Sequence, residues 1–300
     1  MVQKITPNLW FDGNAKEAVD FYVSLFPDSG PIATDYYPTS KKEGLADFQL
    51  DMAGKELSIE FGIDGYQFVA INAGPEFSFT PAISFMLNFD PSRDENARAR
   101  LDELWQALSD GGSVLMPLDE YPFSKRYGWV RDRYGLTWQL ILSDPEGEPR
   151  PFIIPSLLFS QDVVNRAEEA MLFYTSLFDD ARIGTIARYE QQTGPASEGS
   201  VMFGDFTLAG QWFSAMDTGV NQPFTFNEAV SLSVACKDQD EIDYFWQKLS
   251  AVPEAEQCGW CKDRFGVSWQ IVPEDMAELM KQPGAYSKMM AMRKIVIDEF

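Results

Sequence analysis

The sequence predicts an α+β protein built from two tandem copies of one fold. The first observation is a stretch that occurs twice, since 127–139 and 258–270 carry Trp, Asp, Gly, Trp and Gln at the same spacing, 131 positions apart. The second is an apolar helical stripe of Ala, Phe, Tyr, Leu and Phe at 18–26, which returns at 170–178. The third is the hydrophobic pattern of the first copy, which indicates a strand, a helix and three strands, followed by the same order again.

The first half of the first copy begins with a strand at 5–11, because apolar residues there alternate with Thr6, Asn8 and Trp10. Asn14 and Glu17 form a capping-box pattern before the helical stripe. The pattern then predicts further strands around 32–37, 45–53, 55–61 and 65–72.

The second half of this copy repeats that order at shorter length. It begins with a strand from Ala82, continues with a helix that ends at Gly111–Gly112, and supplies two or three strands within 113–143. The stretch 127–139 is predicted to be a hairpin around an Asp-x-x-Gly turn, where Asp bonds its own backbone and Gly takes positive φ.

A polar, proline-rich linker at 144–151 separates the copies. We therefore predict a first domain at 1–147, a second at 152–275 and a helical C-terminal tail at 276–300. The first copy carries about ten extra residues near 114–125, since the offset between copies falls from 141 to 131 across them. These residues include Tyr121 and Phe123, so we expect this loop to lie over an apolar surface, with a lid over the first copy's cleft and a cover over the seam between copies as the two alternatives.

Composition excludes several classes of function. The chain has no histidine, which removes Ser-His-Asp and Cys-His catalysis and metal sites that need imidazole. Its net charge is −22, and 1–150 carries 13 basic and 24 acidic residues, so each half contributes −11. Nucleic acid and anionic lipid are therefore not expected as partners. Three cysteines and the absence of a long apolar run predict a cytoplasmic protein without a membrane span.

Three stretches carry a resemblance to a known family. They are Ile-Thr-Pro-x-Leu-Trp-Phe-Asp-Gly-Asn-Ala-x-Glu-Ala-Val-x-Phe-Tyr at 5–22, Gly-Pro-x-Phe at 74–77 and Gly-Trp-x-Lys-Asp-Arg-Phe-Gly-Val-Ser-Trp-Gln at 259–270. All three resemble the PhnB-like family, which is also labelled 3-demethylubiquinone-9 3-methyltransferase. That family is part of the vicinal oxygen chelate superfamily, with glyoxalase I, extradiol dioxygenases and bleomycin-binding proteins. The resemblance implies tandem domains, each of two βαβββ modules that form a curled, mostly antiparallel eight-stranded sheet around a cleft. Because single-domain relatives pair as homodimers, it also implies that the two copies pack as an internal pseudo-dimer. The sequence lacks the Gly-x-Gly loop that would support the methyltransferase label.

The resemblance also implies where a metal would bind, on His, Gln and Glu side chains from the first and last strands of the modules. The first-strand position falls on or near Asn8 and Ser156, and the closing glutamate falls on Gln139 and Gln270. The histidine position falls on or near Ala82 and Ala229, so neutral side chains replace the charged ligands. We therefore expect neither a metal nor another cofactor.

Three tryptophans and a cysteine pair admit two readings each. Trp10, Trp129 and Trp260 either fill the core or line the cleft beside Asn8, Gln139 and Gln270. Cys258 and Cys261 have the spacing of a redox pair, but on a strand they would point to opposite faces, which favours a structural role.

Together these features favour a metal-independent protein that binds a small organic ligand, cationic or planar, in an acidic and aromatic-lined cleft. The alternative is a metal-dependent enzyme of the isomerase, lyase or dioxygenase type. A third hypothesis is that one copy is structural and only the other binds. The sequence leaves open whether two chains form a homodimer.

Overall fold

The computed structural model describes residues 3–300. Its strands are β1 (Ile5–Phe11), β2 (Gly30–Tyr36), β3 (Glu56–Ile63), β4 (Tyr66–Asn72), β5 (Ile83–Phe89), β6 (Ser113–Tyr121), β7 (Ser124–Arg131), β8 (Thr137–Leu142), β9 (Ile153–Phe159), β10 (Arg182–Arg188), β11 (Val201–Leu208), β12 (Gln211–Asp217), β13 (Val230–Cys236), β14 (Trp260–Lys262) and β15 (Ser268–Pro273). Its helices are α1 (Ala15–Leu25), α2 (Ala97–Ser109), α3 (Ala167–Thr175), α4 (Gln239–Leu249), α5 (Met276–Leu279) and α6 (Ala285–Ala291).

The strands form two mixed sheets, each in its own compact unit. Unit 1 is the chain up to Ser78 together with Asn227–Phe300, and its sheet has the order β14-β15-β13-β1-β4-β3-β2. Unit 2 is Phe79–Phe226, and its sheet has the order β10-β11-β12-β9-β5-β8-β7-β6. This is the predicted α+β class, with eight strands in unit 2 and seven in unit 1.

The compact units differ from the sequence copies. The boundaries predicted from the repeat, 1–147 and 152–275, delimit the repeated sequences, but each unit combines one half of both copies. The reason is strand pairing: β1 pairs antiparallel with β13 in unit 1, and β5 pairs antiparallel with β9 in unit 2. The first module therefore closes its sheet with the fourth, and the second with the third.

The chain enters and leaves unit 2 at neighbouring points. The Asn227 side-chain amide donates to the Ser78 carbonyl at 2.9 Å, within unit 1. Inside unit 2, the Thr80 hydroxyl donates to the Thr225 carbonyl at 3.3 Å. Unit 2 is thus a continuous segment inserted into unit 1.

Helices cover one face of each sheet. In unit 1, α1 lies over β3, where the ring of Tyr22 stacks on Phe61 with centroids 6.3 Å apart. In unit 2, α2 lies so close to β7 that a Cβ at Gly128 would be 2.5 Å from the Trp105 ring. The opposite face of each sheet, the site face, carries the side chains that alternate with these.

The repeated stretch owes its form to one buried carboxylate in each unit. Asp132 Oδ1 accepts from the backbone N–H of Tyr134 and Leu136, and Oδ2 accepts from the indole of Trp138 at 2.8 Å. Gly135 takes φ +95°, as the turn requires. Asp263 makes the same three bonds in the other unit, to Phe265, Val267 and Trp269. The hairpin prediction is confirmed, and this part of the stretch is structural.

Several predictions about local structure are wrong. The pattern at Asn14 and Glu17 does not form a capping box, because the Asn14 side chain makes no capping hydrogen bond. Residues 45–53 are not a strand, because the chain there forms a short 3-10 helix at Asp47–Met52 that begins where the Gln49 side chain accepts the Ala46 N–H. The extra residues near 114–125 are not a loop, because they extend the β6–β7 hairpin to its tip, where Tyr121 pairs with Ser124. The other copy has a short 3-10 helix at Pro253–Ala255 instead, which is why unit 1 lacks an eighth strand.

The C-terminal tail is helical, as predicted, and packs on unit 1. Tyr286 of α6 joins a buried apolar cluster with Tyr37 and Leu45. The backbone N–H groups of Cys258 and Gly259 donate to the carbonyls of Met292 and Arg293. Among the described helices, none is long and apolar enough to cross a membrane.

Candidate functional site

The site face of unit 2 is centred on Gln139, which is 1% exposed. Its Nε2 donates to the hydroxyls of Ser84 at 2.8 Å and Ser156 at 3.2 Å, from the neighbouring strands β5 and β9. Its Oε1 accepts from the Tyr127 hydroxyl at 2.7 Å. Burial raises the pKa of Tyr127, so this phenol stays neutral and remains a donor. The amide is therefore held in one orientation by three partners.

Aromatic residues of the extended hairpin lie against this network. Tyr121 and Phe123 stack at 5.6 Å, and both meet the Tyr127 ring edge-on, at 5.6 and 5.0 Å. The outer ring, Phe123, is 62% exposed. The extra residues therefore do lie over an apolar surface, and that surface is the ring of Tyr127, whose hydroxyl holds Gln139.

A row of polar side chains crosses the same face. Residues that are opposite one another on adjacent strands project to the same side, and this row runs through Ser84, Ser156, Ser214 and Asp205. At its end the guanidinium of Arg150, from the linker, pairs with Asp205 at 2.7 Å and lies 4.0 Å from the Trp212 ring centroid. The linker is thereby fixed to the sheet by an ion pair and a cation–π contact.

The site face of unit 1 is centred on Gln270, which is 9% exposed. Its Nε2 donates to the Ser231 hydroxyl at 2.9 Å. Asn8 lies opposite Ser231 in the β1–β13 register, and its Nδ2 donates to the Thr6 carbonyl. Trp260 lies opposite Gln270 on β14. This face therefore also holds a glutamine against a serine, but with one bond where unit 2 has three.

Two indoles stand beside these amides in unit 1. The rings of Trp10 and Trp260 meet edge to face with centroids 5.9 Å apart, and Trp10 meets Phe77 in the same way at 5.0 Å. The Trp10 indole N–H donates to the Gly74 carbonyl at 2.7 Å, which fixes the ring. Both indoles are half-buried, so part of each remains accessible.

Carboxylates lie further along the unit 1 face. Asn8 is opposite Val69 on β4, and Val69 is opposite Glu60 on β3. Partial desolvation, followed by the like charge of Asp35 on β2, raises the pKa of Glu60. At roughly 4.8 Å between strands, Glu60 is roughly 10 Å from Asn8. The Trp10–Trp260 pair therefore lies on one side of this face, and the carboxylates of Glu60 and Asp35 lie on the other.

The structure divides the predicted site residues by unit and not by sequence copy. Unit 1 brings together Asn8, Trp10, Trp260 and Gln270, whereas unit 2 brings together Trp129, Gln139 and Ser156. The sequence predicted one cleft per copy, which would have placed Asn8 with Gln139. Because strands of one copy pair with strands of the other, these two residues lie in different units.

Sequence reasoning found Ser156 but missed Ser84 and Ser231, which also bond the two glutamines. The resemblance pointed to Ala82 and Ala229, but the residues that face the site on those strands are Ser84 and Ser231, two positions further along. An Ala-x-Ser pattern at 82–84 and 229–231 was the available signal. Tyr127 was also missed, because its counterpart in the other copy is Cys258.

These residues do not fit the metal site that the sequence resemblance implies. In unit 2 the glutamine turns its N–H groups toward the serines, and its oxygen accepts a phenol, so the network presents no free anionic ligand. Among residues 3–300, no group of three or more His, Cys, Asp and Glu side chains is arranged to hold a metal ion.

The cysteine pair has none of the features of a redox site. Cys258 precedes β14 with φ +51°, so it is not on the strand as predicted, while Cys261 is buried within it. Burial raises the pKa of both thiols, whereas reactive cysteines have a lowered pKa. Burial also raises the pKa of Cys236 to about 12.

The chain is similar to several known proteins. The sequence model of the family described as 3-demethylubiquinone-9 3-methyltransferase matches residues 3–141 and 151–272. A solved structure of a putative 3-demethylubiquinone-9 3-methyltransferase, PhnB protein, from Bacillus cereus is 36% identical over 47% of this chain and 100% of that chain, with a TM-score of 0.39. Glyoxalase I from Zea mays is 11% identical over 92% of this chain and 96% of that chain, with a TM-score of 0.49. No curated protein matches the chain.

Proposed function

The chain belongs to the family described as 3-demethylubiquinone-9 3-methyltransferase, and we propose that within this family it binds a small organic ligand without a metal ion. The observation that carries the proposal is the same on both site faces: a glutamine amide is held against serine hydroxyls, with a half-buried indole opposite it. An aromatic wall beside a few fixed polar groups is the usual composition of a small-molecule site.

The unit 1 face suits a cationic or planar ligand. The indoles of Trp10 and Trp260 offer accessible ring surface, and Glu60 and Asp35 supply negative charge along the same face. The separation of roughly 10 Å between the Asn8 and Glu60 strands matches the length of a molecule with one or two rings. We propose that an aromatic amine or a similar cation spans this distance.

Methyl transfer, which the family description names, is not part of the proposal. The site faces present amides, hydroxyls and indoles, and the phenol closest to them has a raised pKa that keeps it protonated. These groups bind and orient a molecule, but none of them is activated as a nucleophile or base.

Native mass spectrometry of the chain, purified without denaturation, tests the proposal. We expect a co-purified small molecule, and one or two bound molecules per chain distinguish a single working unit from two. Gln270→Ala should reduce occupancy, while Gln282→Ala, on the exposed tail, serves as the matched control. Spectra without any bound molecule, together with one transition metal per unit, would instead favour a metal-dependent enzyme.

We also propose that the protein acts in the cytoplasm and that its two sequence copies form an internal pseudo-dimer. The second point is supported by the pairing of β1 with β13 and of β5 with β9, because each pairing joins one copy to the other. Cell fractionation tests the location, and linker cleavage tests the association of the copies.

A further inference from the structure

One cation on the unit 2 face lacks the counter-charge that its counterpart has. In unit 1, Lys262 pairs with Glu228 at 2.5 Å. The repeat aligns Lys262 with Arg131 of unit 2 and Glu228 with Pro81. Unit 2 therefore has no carboxylate at the position of Glu228. Among residues 3–300, no carboxylate forms an ion pair with Arg131.

The surroundings of Arg131 are rich in hydrogen-bond donors without acceptors. Its Nε is buried without a partner, and so are the indole nitrogen of Trp129 and the hydroxyl of Thr137. Each of these groups can donate a hydrogen bond, and buried donors without acceptors normally mark a bound water, ion or ligand.

The register places three of these donors on two adjacent rungs of the ladder. Arg131 is opposite Thr137, and Trp129 is opposite Gln139, so all four side chains project from the site face. Opposite residues are about 5 Å apart, and residues two positions apart on one strand are about 7 Å apart. One carboxylate group between these side chains is therefore within hydrogen-bond reach of more than one of them. Arg131 and Trp129 are each only half-buried, so a ligand reaches them from solvent.

We propose that unit 2 binds the carboxylate of a small organic acid at Arg131, with the Trp129 indole beside the organic part of the ligand. The ligand's carboxylate supplies the charge that Glu228 supplies to Lys262, and it accepts hydrogen bonds from the guanidinium. The inference rests on the proposed function, and it makes the two units complementary: unit 1 takes a cation and unit 2 takes an anion.

Fluorine NMR with 4-fluorobenzoate as the probe tests the proposal on the full chain. We expect 4-fluorobenzoate to bind on the order of tenfold more tightly than the neutral 4-fluorobenzamide, because only the acid forms a charge-assisted pair. Arg131→Gln should weaken 4-fluorobenzoate binding on the order of tenfold. Lys262→Gln, the matched change in unit 1, should leave it within about twofold, since Lys262 already has a partner.

A second variant keeps the test decisive if Arg131→Gln is unstable. Pro81→Glu places a carboxylate where unit 1 has Glu228, so it should compete with the probe and weaken its binding. Circular dichroism checks that each variant is folded. Equal affinity for the acid and the amide, unchanged binding to Arg131→Gln, or no binding at all overturns the inference; in the last case the donors hold only water. A native co-purified molecule that Gln270→Ala removes would then still support the proposed function.

Discussion

The network around Gln139 makes a prediction that can be tested without knowing the ligand. Gln139→Leu keeps the volume but removes an acceptor from the Tyr127 hydroxyl and a donor from Ser84 and Ser156. The two serines are opposite each other and can bond to one another, but the phenol is left buried and unpaired. With about 1–3 kcal/mol for that phenol and about 1 kcal/mol for the other lost bonds, we expect a loss of about 3 kcal/mol.

The equivalent change in unit 1 is the control. Gln270→Leu removes one bond, to Ser231, so we expect a loss of about 1 kcal/mol. Urea unfolding followed by circular dichroism measures both. With an m-value of about 2 kcal/mol/M, the midpoints should fall by about 1.5 M and about 0.5 M.

A double-mutant cycle gives the sharper result, because the effect of Tyr127→Phe should change sign. In the wild-type background it removes a bonded hydroxyl, so it destabilises by about 1 kcal/mol. In the Gln139→Leu background it removes an orphaned hydroxyl, so it stabilises. The reasoning is refuted if Tyr127→Phe destabilises both backgrounds equally, or if the two glutamine substitutions have the same effect.

Three further predictions follow from the fold and the charges. Cleavage at a protease site engineered into 144–151 should leave the two halves associated on gel filtration at micromolar concentration, because each sheet contains strands of both halves; separate peaks would contradict this. Elemental analysis of the purified chain should find no stoichiometric transition metal, and one zinc, nickel, iron or manganese per unit would refute that expectation. Binding of 4-fluorobenzylammonium to unit 1 should strengthen as the pH rises through the raised pKa of Glu60, above its usual 4.5, because only the ionised carboxylate attracts the cation; Glu60→Gln should flatten this dependence, and a profile that Glu60→Gln leaves unchanged would assign the effect to another group.

The sequence was sufficient for the order of elements but not for the way they combine. The repeated Asp-x-x-Gly turn and the helical stripes depend on local geometry, so 127–139 and 18–26 were readable from residue spacing. The pairing of β1 with β13 joins residues more than two hundred positions apart, and no local pattern encodes that choice. Either module could have closed against its neighbour, since their apolar patterns are alike.

The candidate sites, too, were predictable from the sequence only in part. Gln139 and Gln270 follow the turn at a fixed distance, so their position at the centre of each site face was predictable. The unpaired charge of Arg131 was not, because it depends on Pro81, in the turn before β5, lying where the other copy has Glu228. Residues 45–53 failed for a third reason: the alternation there is real, but the Gln49 side chain bonds to the backbone of its own segment and stabilises a 3-10 turn.

The insertion of unit 2 into unit 1 sets the order in which the protein can fold as the ribosome makes it. Unit 2 is complete once Phe226 has been added, so its sheet can close while the chain is still growing. The partner of β1 begins only at Val230, after more than two hundred further residues. At about 5–20 residues per second, the edge of β1 therefore waits roughly 10–45 s for β13. An unpaired strand edge recruits other chains, so nascent copies of unit 1 on one polysome should be the species that chaperones must protect.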